Sequence, residues 1–319
     1  MNSKNDLSSK DLSNKIADIS TAIKKIESSE TTEFAIRCIN NLLTVCQNNP
    51  TYKDLKLIEN SLDELVRSFL VFKNYRNDRK VAMFGSARTP ADNPNYILAE
   101  KTAELLSKSG FFIITGAGPG IMEAGNKGAV NDHSFGLHIN LPFEQQPNKY
   151  IQSSKNMIPY NYFFTRKLAF IKEADAVILF PGGFGTLDEG FEVLTLIQTG
   201  RSSPIPILLI NHDKSQYWEH WEEYVTKELL KKEYISPEDI DLIEEVKTPE
   251  EICTKIQQFY HIYHSIRYIN SKACIRLNKT LSDKKLSAIN NSFSNLLVNG
   301  TFEIKDHNYF TEEKNIYPE

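Results

Sequence analysis

Residues 180–189 read Phe-Pro-Gly-Gly-Phe-Gly-Thr-Leu-Asp-Glu. The apolar run 176–180 that leads into them is typical of a buried strand. After them, apolar residues recur at helical spacing at Leu187, Phe191 and Leu194. In this order of strand, glycine turn and helix, glycines allow close approach of a ligand, and the first helical turn offers unpaired N–H groups to an anion. The segment predicts an α/β fold with an anion site at a strand end.

Thr186 and Glu189 stand three residues apart and therefore share one face of the first helical turn. This places a hydroxyl suited to phosphate beside a carboxylate suited to acid–base chemistry. The same Thr-x-x-Glu spacing is also the capping-box pattern that begins many helices. A capping box alone explains neither the glycines at 182, 183 and 185 nor the preceding strand. The two interpretations are compatible.

Strands and helices alternate on both sides of this segment. The predicted strands lie at 81–84, 111–114, 134–139, 176–180 and 206–210, with amphipathic helices between them. Such alternation indicates a parallel, doubly wound, Rossmann-like sheet with helices on both faces. Ligands bind beyond the carboxyl ends of the strands in these sheets. We therefore expect the turns at Gly85, Gly116 and Gly182 to converge on one crevice.

The second glycine turn, Gly116-Ala117-Gly118-Pro119-Gly120, invites a dinucleotide-binding interpretation. Its glycines do not follow G-x-G-x-x-G, and the next strand ends in His138-Ile139-Asn140, without the acidic residue expected for a ribose. No G-x-x-x-x-G-K-[ST] is present either, which disfavours a Walker-type nucleotidase. On its own, the turn is as compatible with tight packing as with a ligand contact.

The chain is predicted to have a central domain with an extension at each end. Residues 1–77 form a helical extension, with helices at 31–47 and 51–73 whose apolar faces should pack on the core or on a second subunit. Residues 78–263 form the Rossmann-like domain. Residues 264–319 form a small α+β appendage.

Local patterns at two places complete the prediction. The stretch 140–160 contains proline and glutamine and is expected to be a long loop that folds over the site. In the appendage, strands are expected at 273–277 and 301–304, with a helix at 282–297 between them.

Charge and composition exclude several classes of protein. The 37 Lys and Arg residues against 41 Asp and Glu residues give a net charge of −4, so no nucleic-acid surface or anionic membrane is indicated as a partner. The four cysteines form no C-x-x-C, which argues against a zinc site or a disulfide framework. The polar, serine-rich start lacks the apolar core of a signal peptide, and no apolar run is long enough to span a membrane. These features predict a cytoplasmic protein.

Residues 181–189 match PGGxGTxxE, the signature of the LOG family, whose members are nucleoside 5′-monophosphate phosphoribohydrolases often labelled lysine decarboxylases. Arg166-Lys167 resembles the family's Arg-Lys pair in the preceding helix. The turns at 85–87 and 115–122 resemble its first two turns. The similarity covers roughly residues 78–262 and leaves out both extensions.

Residues 163–167 read Phe-Phe-Thr-Arg-Lys. Short plant-type members of the family usually carry Met where this chain has Phe163. The segment is instead similar to the longer bacterial members, which argues against a role specific to cytokinins.

The resemblance implies cleavage of an N-glycosidic bond through a ribosyl cation, as at other glycosidic centres. Glu189 would stabilise that cation and activate a water molecule. Arg166 would orient Glu189 or hold the ribose phosphate. The implied phosphate- and substrate-binding residues are Gly85, Ser86, Gly116, Gly118, Gly120, Gly182, Gly183, Gly185, Thr186, Lys167 and Glu192.

Some of these assignments carry less weight than others. Gly183, Gly185 and Thr186 would hold the 5′-phosphate at the helix amino terminus, where the helix dipole assists. For Glu192, a contact with ribose or Glu189 is no better supported than a solvated or packing role. Lys167 is more often a surface or structural charge than a catalyst. No metal or cofactor is implied.

Different functional classes therefore stay open. The first is a hydrolase that releases a free base and ribose 5-phosphate from a nucleoside monophosphate. The second is a non-catalytic carrier of a nucleotide or a related cofactor, and the third is the disfavoured oxidoreductase. Glu189 together with Arg166 favours the hydrolase, because a carrier does not need this pair. The family resemblance also implies a homodimer or a higher homo-oligomer.

Overall fold

The computed structural model describes residues 18–19, 21, 30–141, 146–212, 214–269 and 272–305. The chain divides into two compact units, Met1–Asp63 and Glu64–Glu319. The first unit contains helix α1, Glu30–Gln47, and the start of helix α2, Tyr52–Phe72. The predicted helices at 31–47 and 51–73 are thus confirmed. The domain boundaries after residues 77 and 263 stay a prediction.

The second unit is built on a parallel sheet of seven strands among the described residues. Its order is β4-β3-β2-β1-β5-β6-β7, and every adjacent pair is parallel. The strands are β1 Lys80–Phe84, β2 Phe112–Thr115, β3 Ser134–Ile139, β4 Met157–Tyr160, β5 Ala176–Leu179, β6 Ile207–Ile210 and β7 Ile243–Val246. The predicted doubly wound parallel sheet is confirmed.

Helices cover both faces of this sheet. They are α3 Pro94–Lys108, α4 Ile121–Gly128, α5 Phe163–Glu173, α6 Phe184–Gln198, α7 Tyr217–Tyr224, α8 Pro237–Ile240 and α9 Pro249–Ile262. Alternate residues of a strand point to opposite faces, so β1 buries Val81 and Met83 in one core and Ala82 and Phe84 in the other. This two-sided burial explains why the central strands are apolar without interruption.

Beyond the sheet, an antiparallel pair is formed by β8, Tyr263–Ile269, and β9, Lys272–Leu277. Helix α10, Asp283–Phe293, follows. The predicted strand at 301–304 is wrong, because residues 301–305 have no regular structure. The local pattern at 301–304 resembles a strand, but no described strand lies beside it to complete the hydrogen bonds.

The predicted loop at 140–160 also requires a correction. Its last residues form β4, which pairs with β3 at the edge of the sheet. The strand is short and contains Pro159, which cannot donate a backbone hydrogen bond and is tolerated in strands at an edge. Proline and brevity together concealed this strand in the sequence.

The carboxyl-terminal part of α2 packs on the sheet layer of its own unit. Glu64, Ser68 and Phe72 recur at helical spacing and are all buried. The Glu64 carboxylate accepts hydrogen bonds from the backbone N–H of Asn161, at 2.7 Å, and from the Thr165 hydroxyl. Ser68 is hydrogen-bonded to Tyr160, and Phe72 contacts Phe135. The expected packing of the second helix on the core is confirmed for this part.

Replacing Glu64 with alanine is expected to destabilise the protein by about 2–4 kcal/mol, because the buried Thr165 hydroxyl and the backbone N–H of Asn161 lose a charged acceptor. Thermal unfolding of the full chain measures the loss. Glu104→Ala, which removes an exposed carboxylate paired with Lys108 on α3, is the control and should leave the melting temperature nearly unchanged, because exposed ion pairs contribute little to stability. Equal melting temperatures for the two variants would contradict the anchoring role of Glu64.

Candidate active site

The glycine turns that follow β1, β2 and β5 meet at the carboxyl end of the sheet. The Ser86 N–H donates to the Pro181 carbonyl at 3.1 Å, and the Ile121 N–H donates to the Ser86 carbonyl at 3.1 Å. The turn at Gly85-Ser86 is thereby held between the turn before α6 and the start of α4. The predicted convergence on one crevice is confirmed.

Two glycines in these turns are required by the fold. A Cβ atom at Gly182 would lie 2.1 Å from the Thr186 hydroxyl oxygen and 3.0 Å from the Ser86 nitrogen. Gly120 has φ +68°, and a Cβ there would lie 2.3 Å from the Ser86 carbonyl oxygen. Any side chain at either position would force the turns apart. The crevice depends on both residues being glycine.

Gly183 and Gly185 differ from Gly182, because a Cβ at either position would meet nothing within 4 Å. Helix α6 begins at Phe184 with Gly183 as its N-cap, which supplies no side-chain cap. The capping-box interpretation of Thr186 and Glu189 is therefore wrong, since the helix starts two residues before Thr186. The start of α6 presents bare backbone to open space, and such N–H groups favour an anion.

Glu189 lies one turn further along α6 and is buried, with 5% of its surface exposed. Burial raises the pKa of its carboxyl from 4.5 to about 7. Lys167 and Arg166 oppose this shift, while Asp188 and Glu192 add to it. A carboxyl group with a pKa near 7 exchanges protons readily at neutral pH, which suits acid–base chemistry.

Arg166 connects the second glycine turn to Glu189. Its Nη2 lies 3.9 Å from Glu189 Oε1, and its guanidinium lies over the Phe163 ring at 5.0 Å. Its Nη1 would be 3.8 Å from a Cβ at Gly116. The arginine therefore reaches from the second glycine turn to the carboxylate, and the structure brings this predicted pair together.

Lys167 points to different partners than Arg166 does. Its ammonium lies 2.6 Å from Asp188 and 3.1 Å from Glu192. Burial opposes its charge, but the hydrogen bonds to these carboxylates prevail and raise the pKa of Lys167. This arrangement ties α5 to α6 and holds Glu192 on the lysine side of the helix. It gives Lys167 a structural task beside the site.

Two residues that no sequence motif identifies also shape the crevice. The Tyr217 hydroxyl donates to the Gly182 carbonyl at 2.6 Å. The Asn148 amide donates to the carbonyls of Ala117 and Gly118, at 3.1 and 3.0 Å. Asn148 belongs to the predicted loop at 140–160, so part of that loop does hold the second glycine turn. Neither residue lies in a motif.

The remaining predicted residues of the second turn are packed against α4. A Cβ at Gly116 or Gly118 would lie 2.7 Å from the Met122 side chain. Since that side chain is flexible, these glycines are less strictly required than Gly120. Between them, Ala117 has φ +61°, a conformation that side chains rarely adopt, and its N–H donates to the Thr115 hydroxyl at 3.0 Å.

No group of three or more His, Cys, Asp or Glu side chains in the described ranges is arranged to hold a metal ion. None of the helices in the described part of the chain combines the length and apolar character that a membrane crossing requires.

Residues 120–256 match the family model described as "Possible lysine decarboxylase". The chain is 33% identical over 94 residues to a cytokinin riboside 5′-monophosphate phosphoribohydrolase of Arabidopsis thaliana, covering 30% of this chain and 42% of the relative. It is 27% identical over 147 residues to a pyrimidine/purine nucleotide 5′-monophosphate nucleosidase of Escherichia coli strain K12, covering 42% of this chain and 32% of the relative. The chain is also 33% identical over 94 residues to a probable cytokinin riboside 5′-monophosphate phosphoribohydrolase of Oryza sativa subsp. japonica. The match covers 36% of that relative.

The chain thus spans less than half of the length of these curated relatives.

Among solved structures, a molybdenum cofactor binding protein of Rippkaea orientalis is similar with a TM-score of 0.40 and 20% identity, covering 56% of this chain and 94% of that one. The match to the family model includes the signature at 181–189. The resemblance to the LOG family is confirmed.

Proposed function

We propose that this chain, which carries the LOG-family signature, hydrolyses the N-glycosidic bond of nucleoside 5′-monophosphates to a free base and ribose 5-phosphate. The observation that carries the proposal is the buried Glu189, within ion-pair reach of Arg166 and one turn from the bare start of α6. The activities for which the plant and bacterial relatives are named support the same reaction.

In the proposed mechanism the 5′-phosphate lies against the N–H groups of Gly183–Gly185 and the hydroxyl of Thr186. These groups and the helix dipole attract its charge. The anomeric carbon then lies near Glu189, whose carboxylate stabilises the positive charge that develops on the ribosyl ring. As the C–N bond breaks and water adds to the anomeric carbon, Glu189 accepts a proton from that water molecule and returns it to the departing base. Arg166 holds the carboxylate in place and balances its charge.

We further propose that the chain acts as a homodimer or a larger homo-oligomer in the cytoplasm, with residues 78–263 as the catalytic domain. Exposed apolar side chains border the site on α5 and α6, and they include Phe163 at 53%, Phe164 at 56% and Phe184 at 94% exposure. A patch of this kind supports association between protein surfaces. Light scattering of the purified full chain would test this, and a monomeric mass would refute it.

The proposed reaction is tested by incubating the purified chain with each nucleoside monophosphate in turn and measuring free base by chromatography. We expect release of base together with ribose 5-phosphate in equal amounts. Tight nucleotide binding without any release would instead favour the carrier. Release of ribose and inorganic phosphate separately would show a different order of cleavage.

The role of the start of α6 gives a second expected result. Adenosine lacks the 5′-phosphate and should be hydrolysed roughly tenfold to a hundredfold more slowly than its monophosphate, since a hydrogen bond to a charged group contributes about 1.5–3 kcal/mol. The ratio of kcat/KM for the two compounds measures this. Equal kcat/KM values for adenosine and its monophosphate would show that Gly183–Thr186 does not bind the substrate phosphate.

A further inference from the structure

Helix α5 carries Arg166 one turn from its start, and that start has little of its own to hold it in place. Its N-cap residue, Tyr162, makes no side-chain cap hydrogen bond. The Arg166 N–H donates to the Tyr162 carbonyl at 3.3 Å, slightly beyond the usual range for such a bond. Contacts from outside α5 therefore matter for where this first turn lies.

Helix α2 supplies such contacts through Glu64, whose side chain is fully buried. The carboxylate accepts a hydrogen bond from the backbone N–H of Asn161, just before the N-cap residue, and another from the Thr165 hydroxyl, just after it. A negative charge at the start of a helix is also favoured by the helix dipole. Glu64 thus fixes both sides of the start of α5, although it belongs to another helix.

The buried hydroxyl of Tyr160 shows that Glu64 and Arg166 lie close together. Burial raises the pKa of Tyr160 to about 12. The negative charge of Glu64 adds to this rise, and the positive charge of Arg166 opposes it. Both charges therefore act on the same buried hydroxyl.

The guanidinium of Arg166 is carried by α5. It lies over the rings of Phe163 and Phe170, 5.0 and 6.0 Å from their centroids, and both of these residues belong to α5. Toward α6, its Nη2 lies 3.9 Å from Glu189 Oε1, which is an ion-pair distance but longer than a hydrogen bond. A misplacement of about 1 Å at an active site can cost on the order of 100-fold in rate. The place where α5 begins therefore matters for this pair.

We propose that Glu64 is a positioning residue of the active site, which sets the start of α5 and thereby holds Arg166 opposite Glu189. It acts through Asn161 and Thr165 and does not itself contact the substrate. This role deepens the proposed hydrolysis, and its effect on the rate rests on that function. The placement of Arg166, in contrast, is measurable without substrate. Part of α2, which lies before the LOG-like segment 78–262, is then needed for the chemistry as well as for stability.

The titration of Glu189 reports where Arg166 lies. Burial raises the pKa of Glu189 to about 7, and the charged groups that modify this rise are Lys167 and Arg166 on α5 and Asp188 and Glu192 on α6. Arg166 lowers this pKa, so withdrawing its guanidinium raises the pKa further. Removing the negative charge of Glu64 would by itself lower the pKa of a neighbouring carboxyl. The sign of the change therefore separates the two effects.

The test is carbon-13 NMR of the full chain labelled at its glutamate carboxyl carbons, with Glu189→Gln to assign the resonance. In Glu64→Gln we expect the pKa of Glu189 to rise by about 0.5–1, a fraction of what a close opposite charge contributes. Thr165→Val removes only the hydroxyl, should act in the same direction, and decides the question if Glu64→Gln folds poorly. Thr165→Ser keeps the hydroxyl, and Glu189 should titrate in it as in the native chain.

Leu106→Ala is the control for a general loss of stability. Leu106 is fully buried on α3, in the core on the other face of the sheet from α5. Its truncation should lower the melting temperature, as large-to-small core substitutions do, and leave the titration of Glu189 unchanged. A lowered melting temperature in Glu64→Gln with an unchanged or lowered pKa of Glu189 would show a merely structural residue and overturn the proposal.

A double-mutant cycle tests whether Arg166 transmits the effect. Arg166→Gln should raise the pKa of Glu189 at least as far as Glu64→Gln does. Adding Glu64→Gln to Arg166→Gln should raise it no further, because both substitutions remove the same interaction. A second rise of equal size would show that Glu64 acts on Glu189 through another group, such as Lys167, and would overturn the assignment to Arg166.

Activity gives the second readout. The kcat/KM of Glu64→Gln for a nucleoside monophosphate should fall about tenfold to a hundredfold, and its rise with pH should move to higher pH by the same amount as the titration. A native chain that releases no base would refute the proposed hydrolysis, and the titration would still decide the role of Glu64. Native rate and pH profile in Glu64→Gln, with a native chain that does release base, would refute the positioning role alone.

Discussion

Replacing Glu189 with glutamine is expected to reduce hydrolysis of nucleoside monophosphates by roughly 10²–10⁴-fold, the range typical of a lost general base. The amide keeps the size of the side chain but can neither accept the proton from water nor offset the charge on the ribosyl ring. Nucleotide affinity should persist, because the start of α6 is untouched. Turnover and affinity measured on one preparation separate the two effects.

The same variant should unfold at a higher temperature than the native protein at pH 8. Burial raises the pKa of Glu189 from 4.5 to about 7. Between these two pH values the folded state holds a proton that the unfolded chain releases, and above pH 7 the folded protein carries a buried charge. Stability is therefore lost as pH rises from about 4.5 to 7, by about 3 kcal/mol. Glutamine removes this cost. Lower activity together with higher stability would mark Glu189 as a functional residue.

Glu192→Gln is the matched comparison for this variant. It removes a carboxylate from the same helix, but one whose side chain is 38% exposed and held by Lys167. Its effect on turnover should stay below about tenfold, as expected for loss of a partly solvated ion pair. Native turnover by Glu189→Gln, or an equal loss in both variants, would remove Glu189 from its proposed role.

Hydrolysis is expected to fall on the order of 100-fold between pH 8 and pH 5. Glu189 must be ionised to accept a proton, and below its pKa of about 7 each pH unit lowers the ionised fraction about tenfold. The rate should therefore rise with pH and level off above neutrality. The pH dependence of kcat/KM measures this, since it reports the ionisation of the free enzyme.

The phosphate of the substrate titrates with a pKa of about 6 and could imitate this effect. Measuring nucleotide affinity over the same range separates binding from chemistry. The residual activity of Glu189→Gln should show a flat profile above pH 6. A rise of the same size in that variant would assign the pH dependence to another group.

Much of the fold could be predicted from the sequence because its signals are local. The run 176–180, the glycines after it and the helical spacing that follows lie within one short segment. Parallel strands then bring their carboxyl ends to one edge by topology alone. For this reason the meeting of Gly85, Gly116 and Gly182 followed from the order of elements, without any measured distance.

Other features depend on residues far apart in the chain and could not be predicted. Glu64 reads as a solvated charge on an amphipathic helix, yet it is buried by partners 97 and 101 residues away. Asn148 acts on a turn 30 and 31 residues earlier. The start of α6 could not be read from Thr-x-x-Glu, because this spacing is a capping box only when the threonine is the N-cap, the residue just before the helix.

The three glycines of residues 182–185 are under different evolutionary constraints. At Gly182 any side chain collides with Thr186, so a lineage that keeps the fold must keep this glycine. Gly183 and Gly185 meet nothing within 4 Å, so folding alone does not preserve them. Lineages that lose the ligand but keep the protein should accumulate alanine or serine at 183 and 185 while retaining 182. Substitutions at these positions would then distinguish working enzymes from descendants that survive only as scaffolds.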